Sequence, residues 1–177
     1  MHSINIRDKR LENDFRGVSD LVANSGGALK IVSTSGKPPQ AYVIEYQCRG
    51  VERLQGENPV FRDSHQIKIS VEHSDYPRSK PHVWFLTPIF HPNVWSKDQD
   101  QLVCLGDDYW TMSETLSELI LRVGRIIQYS VDVLNTLRPA NQEAGQWAIR
   151  NPRRFPTDNK TFKSATNSST GISWTNL

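Results

Sequence analysis

One cysteine, Cys104, follows a short His91-Pro92-Asn93 motif and stands between apolar residues. A deprotonated thiol is a good nucleophile and a good leaving group, but with a free pKa of about 8.5 only a few per cent is thiolate at neutral pH. A thiol that accepts an acyl group from another thioester chiefly needs exposure, protection from water and a donor for the oxyanion. The side-chain amide of Asn93 is a candidate donor, and Pro92 would restrict the turn that aims it.

Each of these residues also has a simpler structural explanation. Free cysteine is among the most buried residue types, so Cys104 taken alone is more often a small core residue. A His-Pro-Asn sequence is a common turn, in which His91 would bond the local backbone, and Trp110 would belong to the core or its rim. No cysteine-protease signature surrounds Cys104, which argues against a thiol hydrolase. The two cysteines and five histidines show no zinc spacing, so we expect neither a metal nor a cofactor.

The composition is that of an ordinary globular protein. A chain of 177 residues is long enough for one domain with a sizeable core. The formal net charge of +2 gives no electrostatic reason to expect nucleic acid or an anionic membrane as a partner. The chain has no long apolar run for a membrane span and a polar, charged start unlike a secretory signal. Two cysteines far apart do not form a disulfide framework, so we expect a cytoplasmic protein.

The elements that must position Cys104 can be predicted from periodicity. Apolar residues at helical spacing predict a helix over 4–23, with an apolar face formed by Ile4, Leu11, Phe15, Val18 and Val22. Alternation predicts strands over 29–34, 41–48, 66–72 and 82–86, and the stretch between the second and third is expected to be a long loop.

Helices are predicted after Cys104. A long helix is expected over 111–134, capped by Thr111 with Glu114 or by Ser113, and a short helix over 141–150. Asn151 and Pro152 begin another helical turn. The polar stretch 156–177 is expected to be a flexible tail, which leaves 1–155 as the catalytic domain. This order indicates an α+β fold, with an N-terminal helix, a four-stranded antiparallel meander, an active-site loop and C-terminal helices.

Several motifs in a fixed order resemble the ubiquitin-conjugating enzyme family. They are Tyr76-Pro77, Pro81, Phe85, His91-Pro92-Asn93, Cys104-Leu105, Trp110 and the stretch 138–155. No single motif is specific, but the ordered set is, and the resemblance runs from about Ile6 to Phe155. It implies the same fold that periodicity predicts.

The resemblance also implies roles for these residues. Cys104 would carry the C-terminal glycine of a ubiquitin-like modifier protein as a thioester received from an activating enzyme, and pass it to a lysine. Asn93 would stabilise the oxyanion or the loop, while His91, Pro92 and Trp110 would be structural. A residue that gates the active site is expected after the long helix, with Asp132, Asn135 or Thr136 as candidates. The activating enzyme would contact the first helix at Arg7, Lys9 and Arg10, expected to be exposed.

Two positions depart from the family's pattern on the surface that usually engages ligases. Arg78 stands where the family often has phenylalanine, and Met112 where it often has proline. A cation in place of an apolar anchor should weaken a pocket built for that anchor. We therefore expect a dedicated ligase or target, or none, and a divergent member, for example a prokaryotic one. The alternative function is a non-catalytic module of the same fold that binds the modifier or a scaffold. Inactive variants typically lack the cysteine, so its presence favours the enzyme.

Overall fold

Helix α1, Ile6–Ala23, opens the part of the chain that the computed structural model describes, which is residues 5–106 and 108–162. The side chain of Asn5 caps it by accepting a hydrogen bond from the backbone N–H of Arg7 at 3.1 Å. Leu11 is buried as predicted, whereas Phe15 is 38% exposed, so its assignment to the apolar face was wrong. Ile4 lies outside the described residues.

Six strands follow. They are β1 (Leu29–Ser35), β2 (Ala41–Tyr46), β3 (Gly50–Gln55), β4 (Asn58–Arg62), β5 (His65–Ser70) and β6 (His82–Phe85). The main sheet is antiparallel in the order β1-β2-β5-β6, which confirms the predicted four-stranded meander. Alternation places Tyr42, Ile44 and Tyr46 on the buried face of β2. These residues form the side of the core on which the helices pack.

Strands β3 and β4 form a separate hairpin where the sequence predicted a long loop. Gln55 pairs with Asn58, so only Gly56 and Glu57 make the turn, and Gly56 has the positive φ of 62° that suits glycine there. The strands are rich in charged residues and contain Pro59, which conceals the alternation that a strand usually shows. The prediction of a loop was therefore wrong.

Helix α2 runs over Leu116–Ile127, shorter at both ends than predicted. Its capping box is Thr115 with Glu118, one turn after the pair expected from the sequence. Helix α3 spans Gln142–Arg150 with Asn141 as its cap, and a 3₁₀ turn with Pro152 at its start follows, both as predicted. No helix in the described ranges is long and apolar enough to cross a membrane.

The segment 156–162, expected to begin a flexible tail, packs on the domain instead. Phe162 is 5% exposed and meets the ring of Tyr46 edge-on, with centroids 5.6 Å apart. Asp158 accepts hydrogen bonds from the Arg49 backbone at 2.7 Å and from the Gln128 side chain at 2.9 Å. These contacts join the segment to the end of α2 and to the start of the hairpin. The rest of the predicted tail, 163–177, lies outside the described residues.

Candidate active site

Cys104 ends an extended segment that is held from two sides. On one side, the backbone N–H of Val103 donates to Val83 in β6 at 2.8 Å, and that of Phe85 donates to Gln101 at 3.1 Å. On the other side, the backbone N–H of Cys104 donates to the carbonyl of Asn93 at 2.7 Å. The backbone of the candidate nucleophile is therefore tied to the motif that precedes it in sequence.

The two cysteines have different environments. Cys104 is half-buried, whereas Cys48 is 1% exposed within the core. Burial raises the pKa of the Cys48 thiol, because the charged thiolate loses its hydration there. Cys104 is therefore the more accessible of the two thiols.

The side chain of Asn93 is 3% exposed and fully engaged with the loop that follows α2. Its Nδ2 donates to the carbonyl of Val133 at 2.8 Å, and its Oδ1 accepts from the backbone N–H of Asn135 at 2.9 Å. Of the two roles expected for Asn93, these contacts favour positioning of the loop. The same residue holds Cys104 through its backbone and the candidate gate segment through its side chain.

His91 is buried and structural in its contacts. Its Nδ1 accepts a hydrogen bond from the backbone N–H of Asn93 at 2.9 Å, and burial lowers the pKa of the imidazole to about 3. The ring packs edge-on against Tyr129 with centroids 4.4 Å apart. Tyr129 in turn donates its hydroxyl to the carbonyl of Phe90. His91 is thus neutral near pH 7 and packs on Tyr129, which in turn packs on Trp147 of α3.

The candidate gate residues differ in the exposure and the hydrogen bonds of their side chains. Asp132 is half exposed, accepts a hydrogen bond from Ser130 at 2.5 Å and pairs with Arg125 at 2.9 Å. The Ser130 hydrogen bond lowers the pKa of Asp132, so the carboxylate is charged at neutral pH. The side chain of Asn135 makes two hydrogen bonds with the backbone of Arg138: Nδ2 donates to the carbonyl at 2.8 Å, and Oδ1 accepts from the N–H at 3.0 Å. Thr136 is half-buried with no side-chain hydrogen bond to another described residue.

The three basic residues of α1 that were expected to contact the activating enzyme are not equivalent. Lys9 is exposed as expected, but the expectation of exposure was wrong for Arg7 and Arg10, which are half-buried. Arg7 donates to Gln40 at 2.8 Å and to two backbone carbonyls near the end of β5. Arg10 pairs with Asp14 at 2.7 Å and donates to the carbonyl of Met112 at 2.6 Å. Both arginines hold α1 to the domain through their guanidinium groups.

The surface expected to face a ligase is open to solvent. Arg78 is exposed and Met112 is 60% exposed. Trp110, between them, donates its indole N–H to the carbonyl of Pro77 at 2.8 Å and packs 6.0 Å from the ring of Tyr76. The indole therefore joins the loop after Cys104 to the loop that carries Arg78.

Sequence reasoning missed two residues that support the site. Gln101 has a positive φ of 51°, and its side chain bonds Ile89, Phe85 and Thr87 at 3.1 to 3.2 Å, which anchors the loop before Cys104. Asp14 is 4% exposed and accepts from the hydroxyl of Tyr76 at 2.5 Å. A charged residue on the apolar stripe of α1 was the available signal for Asp14, whereas nothing local distinguishes Gln101.

No group of three or more His, Cys, Asp or Glu side chains within 5–106 and 108–162 is arranged to hold a metal ion. The chemistry that this arrangement supports is that of a half-exposed thiol with a rigid backbone, beside a loop that carries a charged carboxylate. No hydrogen bond joins a histidine to the Cys104 thiol among the described residues, and His91, the nearest histidine in sequence, is buried against Tyr129. The geometry therefore suits acyl exchange rather than base-assisted hydrolysis.

Comparison with known proteins gives a consistent result. The sequence profile of the ubiquitin-conjugating enzymes matches residues 53–163, which is more than half of the chain. Ubiquitin-conjugating enzyme E2 2 of Candida glabrata is 35% identical over 72 residues, and the match covers 40% of this chain and 39% of that protein. The matched part is thus about two fifths of the length of the curated relative.

Solved structures share the fold. A protein described as a novel ubiquitin-conjugating enzyme superposes with a TM-score of 0.56 at 22% identity, covering 82% of this chain and 86% of that one. A ubiquitin conjugating enzyme from Trypanosoma cruzi gives 0.57 at 20% identity, covering 88% and 97%. Together with the α+β architecture and the placement of Cys104 beside Asn93, the profile match shows that the chain belongs to the ubiquitin-conjugating enzyme family.

Proposed function

We propose that the protein accepts a ubiquitin-like modifier from an activating enzyme as a thioester on Cys104 and transfers it to a lysine amine. The observation that carries this proposal is the hydrogen bond of 2.7 Å between the Cys104 backbone and Asn93, whose side chain holds the loop 133–135. One residue thus aligns the thiol with the segment that would border the incoming amine.

The first step is thiol exchange. The thiolate of Cys104 attacks the thioester carbonyl carbon of the modifier on the activating enzyme, the carbon–sulfur bond to that enzyme breaks, and its cysteine leaves as thiolate. One thioester replaces another, so this step needs no oxidant and little driving force. A half-buried thiol suits it, because access is required for the donor thioester while partial burial limits attack by water.

The second step is attack by an amine. The lysine arrives as an ammonium and first loses a proton to water, and the neutral nitrogen then attacks the thioester carbonyl to form an oxyanion. The nitrogen loses a second proton to water, the carbonyl re-forms as an amide, and the bond to Sγ breaks to leave the Cys104 thiolate. We propose that Asp132 receives the lysine ammonium, since its carboxylate is charged and half exposed. Asn93 acts by positioning the loop, because both polar ends of its side chain are already bonded to backbone.

The test is incubation with a candidate activating enzyme, a modifier and ATP, followed by electrophoresis with and without reductant. We expect a reductant-sensitive adduct that Cys104→Ala abolishes and Cys48→Ala retains, because Cys48 is buried. Cys104→Ser or Cys104→Lys should give an adduct that resists reductant. An adduct that persists unchanged in Cys104→Ala would remove Cys104 from the mechanism.

A further inference from the structure

The backbone immediately after Cys104 offers two N–H groups as candidate donors. The N–H groups of Leu105 and Gly106 make no hydrogen bond to another residue within the described ranges. The amide of Asn93, by contrast, is committed to the loop after α2. A transition state that develops negative charge on a carbonyl oxygen is stabilised by donors fixed in advance beside the nucleophile, and backbone N–H groups commonly serve.

Arg122 of α2 fixes this stretch of backbone. Its Nη2 donates to the carbonyl of Leu105 at 3.3 Å, and its guanidinium lies over the ring of Tyr109 with Cζ 4.1 Å from the centroid. Arg122 and Tyr109 are both half-buried, which limits competition from water. One side chain of a rigid helix therefore holds the loop on both sides of Gly106.

The planarity of the peptide bond converts this contact into an orientation. The carbonyl of Leu105 and the N–H of Gly106 belong to one trans peptide unit, in which the C=O and N–H bonds point in opposite directions. Because Arg122 draws the carbonyl toward α2, the Gly106 N–H points away from α2. Gly106 has a φ of 93°, a conformation that other residues rarely adopt.

We propose that the backbone N–H of Gly106, assisted by that of Leu105, binds the oxyanion that forms when an amine attacks the thioester on Cys104. Arg122 is a positioning residue that aims this peptide unit. The inference rests on the proposed function, since it assigns the oxyanion site of the same transfer reaction. The N–H donors keep their protons throughout, and they release the oxygen when the carbonyl re-forms and Sγ leaves.

The experiment uses a small thioester, so that it needs neither modifier nor activating enzyme. In a Cys48→Ala background, Cys104 is acylated by exchange with an N-acetylglycine thioester, and its aminolysis by free lysine is followed by intact mass. We expect Arg122→Ala to slow aminolysis by about 10- to 100-fold, below the 10²–10³ typical for loss of a whole donor. Arg122→Lys, which keeps a donor for the Leu105 carbonyl, should recover part of the rate.

A second measurement separates this role from a general loosening of the site. Alkylation of the free Cys104 thiol by iodoacetamide displaces iodide and forms no oxyanion, so Arg122→Ala should leave its rate within about threefold of the parent. Arg153→Ala, which removes an exposed arginine of the 3₁₀ turn, is the control for loss of one positive charge. Aminolysis that is unchanged in Arg122→Ala, or that falls in parallel with alkylation, would overturn the inference.

A further variant removes the donor itself. Because residue 104 is a cysteine, a segment 1–103 can be ligated to a synthetic segment 104–177 in which glycolic acid replaces Gly106, so that an ester oxygen replaces the N–H. We expect aminolysis to fall by about 10- to 1000-fold with alkylation preserved. An unchanged aminolysis rate would refute the donor. Failure of the intact protein to be charged by an activating enzyme would instead refute the proposed function and leave these small-thioester rates interpretable.

Discussion

The Oδ1 atom of Asn93 accepts a hydrogen bond of 2.9 Å from the backbone N–H of Asn135, which lies 42 residues further along the chain. This bond joins the segment before the nucleophile to the loop after α2. A second hydrogen bond, from Nδ2 to the carbonyl of Val133 at 2.8 Å, attaches the same side chain to the loop at another point. Because both ends of its amide are bound to backbone, the Asn93 side chain fixes the loop in one position. The amide itself has little freedom to turn toward the carbonyl of a thioester on Cys104.

Replacement of Asn93 by alanine should therefore affect stability as well as transfer. The change leaves the buried Val133 carbonyl and the partly buried Asn135 N–H unpaired, and we expect a loss of about 1–3 kcal/mol in the free energy of unfolding. Discharge to lysine should slow by about 10²-fold through misplacement of the loop, while charging of Cys104 suffers less. Urea unfolding and single-turnover discharge measure the two effects. Slow discharge with unchanged stability would point to a direct oxyanion role instead.

Charge reversal on α1 should have different effects at the exposed Lys9 and at the half-buried Arg10. Lys9→Glu should slow charging several-fold at low salt and less at high salt, because rim charges mainly tune the association rate. Arg10→Glu should instead lower the free energy of unfolding by roughly 3 kcal/mol, since it places a carboxylate against the buried Asp14. Equal stability of the two variants in urea would contradict this distinction.

The exposed Arg78 should disfavour a standard ring-type ligase. A cation where a ligase pocket expects an apolar anchor adds a desolvation cost to binding. We expect a generic ring-type ligase to accelerate loss of the thioester little in the wild type, and more in Arg78→Phe. The measurement is titration of the ligase against the charged protein. Strong acceleration of the wild type that Arg78→Glu does not diminish would refute the expectation.

Phe162 should stabilise the domain through its contact with Gly124 of α2. A Cβ atom added to Gly124 would stand 2.4 Å from Cε2 of the Phe162 ring, so the glycine leaves room for the ring. We expect Phe162→Ala to cost about 3 kcal/mol of unfolding free energy. Gly124→Ala should cost about 1–3 kcal/mol in the wild type through overpacking.

The double variant distinguishes this contact from two independent effects. Once Phe162 is alanine, Gly124→Ala has room for its methyl group and should gain up to about 1 kcal/mol from helix propensity. The sign of the Gly124→Ala effect is thus expected to reverse between the two backgrounds in urea unfolding. Additive losses would show that Phe162 does not occupy this position in solution.

Stability should decline on acidification through buried neutral histidines. Burial lowers the pKa of His91 to about 3 and that of His65 to about 4, below the value of 6.5 for an unperturbed histidine. Between the native pKa of each histidine and 6.5, the unfolded chain binds more protons than the native state. The contribution of the neutral histidines to the free energy of unfolding is therefore complete above pH 6.5 and is lost as the pH falls. The slope should reach about 1.4 kcal/mol per pH unit for each histidine.

This pH dependence can be separated from that of the carboxylates. Hydrogen bonds lower the pKa of Asp63 and Asp132, whose contributions to stability are therefore lost only at more acidic pH, below the unperturbed aspartate value of 3.8. Urea unfolding between pH 7 and pH 4.5 should show a shallower slope for His65→Gln than for the wild type. An identical slope in the variant would indicate that His65 is not a buried neutral group.

Periodicity predicted the main sheet because its strands bury one face and expose the other. Tyr42, Ile44 and Tyr46 alternate with half-buried residues along β2, so a local pattern contains the fold information. The hairpin Gly50–Arg62 has no such pattern, because its burial depends on contacts with α3. The charged residues and Pro59 of the hairpin hide its alternation, and Val51 is buried against residues of a helix far along the chain, which is why the segment was predicted as a loop.

The sequence by itself determined the family resemblance and the order of the main elements, because these depend on residue types and short spacings. Only the tertiary structure decided what the polar side chains contact. The contact of Arg10 with the carbonyl of Met112, the engagement of Asn93 with the loop 133–135 and the insertion of Phe162 over Gly124 each join residues distant in sequence. Hydrogen bonds and packing act over a few ångströms of space, so their partners are defined only after the chain has folded.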